Sequence, residues 1–64
     1  MVISPGREYQ NIKTGNVYIV LYIATHSETK ELLVIYQRRD RDPIDEEEIW
    51  ARPLELFSHK FLAI

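Results

Sequence analysis

Sixty-four residues with a net charge of −2, 45% hydrophobic content and no cysteine allow one domain spanning residues 1–64 and exclude both a disulfide scaffold and a thiolate zinc centre. A chain this short buries only about 60% of the surface its unfolded form exposes. Its core therefore depends on close packing or on a second chain.

The first turn signal is Pro5-Gly6, and Arg7 to Ile12 follows as a short strand. Thr14-Gly15-Asn16 is a second turn, with Gly15 supplying a positive φ at low steric cost. Val17 to Thr25 (VYIVLYIAT) is the strongest element, dense in β-branched and aromatic residues. Both of its alternating faces are apolar, the pattern of a strand buried twice. In a small chain this leads to a tightly curled barrel or to a homodimer interface, and the apolar end Phe61-Leu62-Ala63-Ile64 adds to the second expectation. The polar stretch His26-Ser27-Glu28-Thr29-Lys30 then joins Val17–Thr25 to Leu32–Gln37 as a hairpin. A charged loop runs from Arg38 to Glu48. Ile49 to Arg52 reads as a fourth strand, Pro53 to Phe57 as one helical turn with proline at its first position, and His59 to Ile64 as a closing strand. The expected fold is all-β: a small SH3-like barrel of about five short antiparallel strands with one helical turn near Pro53–Phe57.

The longest apolar run, Val17 to Ala24, is far short of the roughly 20 residues a spanning helix needs. The N-terminus, Met1 to Gly6, has neither the basic nor the long apolar region of a signal peptide. A cytoplasmic protein without membrane contact is the expectation.

The order of features resembles a known family. Pro5-Gly6-x-x-Tyr9 is followed by Gly15-x-x-Tyr18-x-Val20 and by Ala24-Thr25-His26-Ser27-Glu28-Thr29. Leu33-Val34-x-Tyr36-Gln37 comes next, then Trp50-x-Arg52-Pro53-Leu54-Glu55-Leu56-Phe57. From Pro5 to Phe57 this is similar to the small bacterial and phage proteins grouped as DUF1653, a family without an assigned function. The resemblance implies a compact β domain of bacterial or phage origin. The chain departs from the family pattern before Trp50, where a short Gly-containing turn is replaced by the longer acidic stretch Asp40 to Glu48.

Several residues carry candidate chemistry. His26, Ser27, Glu28 and Thr29 put an acid, a base and two hydroxyls in one loop. A catalytic set must converge in space, and neighbours in a turn splay apart, so the choice is between local turn bonding and contact with a polar or phosphorylated ligand. Arg52 has the forked guanidinium suited to carboxylate or phosphate, with an ion pair to Glu28 or Glu55 as the structural alternative. Tyr9, Tyr36 and Trp50 are the aromatics most suited to a partly exposed stacking surface. Asp40, Asp42, Asp45, Glu46, Glu47 and Glu48 hold six of the ten acidic residues. They form either a solvated loop or a docking surface for a basic partner. They lack the glycine of an EF-hand loop, and His26 and His59 lack zinc-ligand spacing, so neither metal nor cofactor is expected. Arg38, Arg39 and Arg41 form a basic run, but the acidic run beside them argues against nucleic acid as a partner.

Two functions follow as expectations. The first is a non-enzymatic protein-interaction module, a phage-encoded modulator of a host protein, docking through the acidic loop. The alternative is a small-ligand binder for a nucleotide or other anion, using His26, Ser27, Glu28, Thr29, Tyr36, Trp50 and Arg52. An enzyme using His26 and Glu28 as an acid–base pair ranks behind both.

Overall fold

The computed structural model describes residues 3–39 and 49–64. Five strands and one helix follow in chain order: β1 (Glu8–Asn11), β2 (Val17–Thr25), β3 (Leu32–Arg38), β4 (Ile49–Pro53), α1 (Leu54–Lys60) and β5 (Phe61–Ala63). All strand pairs are antiparallel. The sheet order is β4-β3-β2-β1-β5, so the chain meanders through β2, β3 and β4 and then returns by α1 to lay β5 against β1. The sheet is open, with β4 and β5 as its two edges. The expected all-β fold of five short antiparallel strands with one short helix is thus present, and among the described residues the sheet does not close into a barrel.

Turn chemistry sets the β1–β2 corner. The Asn11 side-chain oxygen accepts hydrogen bonds from the backbone N–H of Lys13 (2.9 Å) and Thr14 (3.0 Å). Gly15 adopts φ 81°, a left-handed conformation that side-chain-bearing residues rarely take. Before β1, Gly6 (φ 86°) lets the chain fold back so that its N–H donates to Val20 O at 2.7 Å.

The helix is longer than the expected turn, and it absorbs His59 and Lys60 from the expected closing strand. Pro53 is its N-cap rather than its first helical residue. Glu55 in the first turn and His59 and Lys60 in the last oppose the helix dipole favourably at both ends. The chain then passes directly into β5, with the N–H of Phe61 donating to Phe57 O.

One face of the sheet carries the core. Tyr9, Val20, Val34, Phe57 and Phe61 are essentially inaccessible, and Ile3 and Tyr36 are nearly so. Phe57 and Phe61 stack at 4.1 Å with their planes 4° apart. Tyr9 and Tyr36 meet Phe57 edge-on at 5.5 and 5.1 Å, and Tyr18 meets Phe61 at 5.4 Å. Tyr9, one of three candidates for a stacking surface for each of which a place in the core is the preferred reading, is central to the core. Its ring fills the interior while its hydroxyl accepts a hydrogen bond from the Ser4 N–H at 2.9 Å.

The doubly apolar β2 is not buried on both faces. A register shift between Val20 and Tyr22 is a bulge, which moves the strand on by one residue. Val20 pairs with Tyr36 and Ile23 with Val34, so both face the core although they differ in parity. Tyr22, opposite Ile35, is on the outer face and 68% exposed. Truncating the stacked pair should be decisive. Phe57→Ala is expected to cost about 3–5 kcal/mol, comparable with the whole stability of a domain this small. Urea unfolding followed by circular dichroism should find Phe57→Ala largely unfolded in water, with Phe57→Leu folded at a lowered midpoint.

Candidate functional site

Residues two apart on a strand share a face, and this places Trp50 and Arg52 together on the inner side of β4. The register sets Trp50 opposite Tyr36 and Arg52 opposite Val34. On the far side of the sheet, Asn11 is opposite Phe61 and Tyr9 is opposite Tyr18. Asn11, Tyr18, Tyr36, Trp50, Arg52 and Phe61 line one cavity of about 160 Å³. Trp50 forms its outer wall, 40% exposed, with its ring 5.9 Å from those of Tyr18 and Tyr36.

Arg52 is held by a ring. Its guanidinium carbon lies 5.6 Å from the centroid of Phe61, a cation–π distance. Among the described residues, neither Glu28 nor Glu55 pairs with it. Among the described residues no carboxylate takes the guanidinium donors, and Arg52 lines the cavity. Asn11 and Arg52 also line an adjoining cleft of about 380 Å³ that continues past Ile12, Lys13 and Thr14 to His59 and Lys60. Together the two hollows have an aromatic floor and a cationic rim.

Tyr36 is electrostatically tied to this site. Burial raises its phenol above the ordinary value, the Arg52 guanidinium pulls it down, and the Tyr18 phenol pushes it up, with burial the largest effect. The cavity thus presents Tyr36 as a neutral hydroxyl at physiological pH.

The His26–Thr29 loop is elsewhere. It lies beyond Thr25 and Leu32, the last pair of the β2–β3 ladder, whereas Tyr18 and Arg38 close the other end. Two of its side chains, His26 and Thr29, bond the turn itself. His26 Nδ1 accepts hydrogen bonds from the N–H of Glu28 (3.1 Å) and Thr29 (3.3 Å), and Thr29 Oγ1 accepts one from the N–H of Glu31 at 3.3 Å. Of the seven sequence-derived ligand candidates, Tyr36, Trp50 and Arg52 come together. His26, Ser27, Glu28 and Thr29 form a separate turn. Asp40, Asp42, Asp45, Glu46, Glu47 and Glu48 lie outside the described residues. Asn11, Lys13, Tyr18 and Lys60 line these hollows without being among the candidates that the sequence offers. A signal existed for Tyr18, which sits in the same Gly15-x-x-Tyr18-x-Val20 motif that carried the resemblance.

A small open antiparallel sheet, backed by one helix and bearing an aromatic–cationic hollow on its inner face, is the class of domain these features define. The chain belongs to the family described as a protein of unknown function, DUF1653, whose family model matches residues 7–62. No curated protein and no solved structure gives a match. Among the described residues, no helix is long and apolar enough to cross a membrane.

Two measurements check this description. His26→Ala should lose the turn acceptor and about 1 kcal/mol of stability, in line with other side-chain caps, whereas His26→Asn should retain most of it. Tyr36 concerns alkaline pH. Because its folded pKa lies above the unfolded one, the stability this phenol contributes is fully present below the unfolded value and is lost as pH rises through the folded value. Stability should decline less steeply above pH ~10 in Tyr36→Phe than in the parent, and absorbance titration of Arg52→Ala should find the Tyr36 phenol raised further.

Proposed function

We propose that this domain is a non-enzymatic binding module for a ligand combining a planar ring with an anionic group, of which a nucleotide is the type. One observation carries the reading: the Trp50 ring and the Arg52 guanidinium line a single cavity from adjacent inward positions of β4. An indole face accepts a planar ring by stacking. A guanidinium accepts phosphate or carboxylate through two parallel hydrogen bonds. Asn11 adds an amide beside both, and Lys13 and Lys60 extend the positive rim. The competing reading, docking of a protein on the acidic residues Asp40 to Glu48, rests on a segment outside the described residues.

Trp50 is the one tryptophan in the chain, so its fluorescence reports on the cavity directly. Nucleoside monophosphates should quench it. At ten times its Kd a ligand adds about 1.4 kcal/mol, a rise of roughly 6–10 °C in Tm for so small a domain. Arg52→Ala should remove the response while the circular dichroism spectrum is retained. Arg52→Lys, which keeps the charge but not the fork, should weaken binding about tenfold. Absence of quenching and of a Tm shift across the four common bases would refute the proposal.

A further inference from the structure

The polar side chains around the Trp50 cavity are unequal in what they can bind. Asn11 lines both the aromatic cavity and the adjoining cleft. Its side-chain oxygen has two lone pairs, and both are committed to the β1–β2 turn, where they accept from the N–H of Lys13 and of Thr14. Those two bonds settle which end of the amide is which and leave the NH2 as the end that serves the hollows. Among the described residues no acceptor takes it. Arg52 and the Trp50 indole offer donors only, whereas the hydroxyls of Tyr18 and Tyr36 serve as donor or acceptor. The side chains of the cavity therefore include obligate donors and no obligate acceptor.

Size narrows the ligand further. The cavity of about 160 Å³ is well below the ~300 Å³ at which ordinary small-molecule pockets begin. It suits one six-membered ring with its substituents better than the fused rings of a purine. The cleft of about 380 Å³ joins it through Asn11 and Arg52 and has room for the rest of a larger ligand.

Resting on the ring-and-anion reading above, we infer that the ligand is a nucleotide of a pyrimidine-2,4-dione, the ring of uracil and thymine. The ring stacks on Trp50, one ring carbonyl accepts from the Asn11 NH2, and the phosphate lies on the Arg52 guanidinium. Uracil and thymine carry two carbonyl acceptors with one N–H between them, and a tyrosine hydroxyl can take that N–H. Cytosine replaces a carbonyl by an amino group, which sets donor against donor at Asn11 and leaves both unpaired. Adenine likewise offers an amino group and no carbonyl. Guanine offers a carbonyl, but on a ring system too large for the cavity.

The test titrates the full chain with UMP, dTMP, CMP, AMP and GMP, read by quenching of Trp50. UMP or dTMP is expected to bind at least about fivefold more tightly than CMP, the effect of one unmade hydrogen bond at a buried site. It should exceed AMP and GMP by at least about tenfold, as for a ligand that overfills its pocket. Asn11→Asp keeps an acceptor for the turn N–H groups but presents the cavity with an acceptor in place of the amide donor. Its charge weakens every nucleotide alike, so the readout is the ratio of UMP to CMP affinity, which is expected to fall below one. Circular dichroism checks that the variant is folded, and the panel on the parent chain decides the matter if it is not. Affinities all within twofold, or a purine bound most tightly, overturn the inference and leave the proposed function standing. A folded Asn11→Asp that keeps the parent ratio also overturns it. No response to any of the five overturns this inference and the proposed function together.

Discussion

The parallel contact between Phe57 and Phe61 organises the molecule. These rings are four residues apart, one in the last turn of the helix and one at the first position of the closing strand. Because α1 runs into β5 without a loop, a single stack fixes helix and strand to the sheet at once. Tyr9, Tyr18 and Tyr36 pack against this pair, and aromatic bulk replaces the second layer that larger β domains use to fill a core. Phe61 has a second neighbour in the Arg52 guanidinium. The ring that completes the interior also positions the central cation of the site, so stability and recognition share a side chain and substitutions at the two are not independent.

How much of this was legible in the sequence differs by element. The bounds of β2 and the start of β3 stood out because runs of β-branched and aromatic residues are bracketed by turn residues. The length of α1 did not, since Ser58, His59 and Lys60 carry no strong preference and HKFLAI alternates like a strand. What extends the helix is the need to bring Phe57 over Phe61, a tertiary constraint without a local signature. The bulge was equally hidden. It changes which residues of β2 face inward, so an apolar pattern on both parities came from one buried face whose parity switches midway.

The same distinction governs the site. Trp50 and Arg52 could be read together because a spacing of two on a strand is a shared face, and register supplies Tyr36. The His26–Thr29 group looked like chemistry because its residues adjoin in sequence, but in a hairpin tip such side chains turn back on their own backbone. The cationic rim of Lys13, Arg52 and Lys60 draws on residues from 13 to 60, which the chain topology alone brings together.

The pairing of β1 with β5 has a temporal consequence. Glu8–Asn11 receives one of its two neighbours only from Phe61–Ala63, fifty or more positions away, and the two stacked phenylalanines, Phe57 and Phe61, are equally late in the chain. During synthesis from the N-terminus, the β2–β3 hairpin emerges complete while β1 still lacks its outer partner and the core its central rings. A nascent chain halted before Phe57 can form local ladders but cannot close the interior. Folding of this domain is therefore deferred until translation of the segment is almost finished, and its rate is governed by a contact between distant ends rather than by its strongest strand.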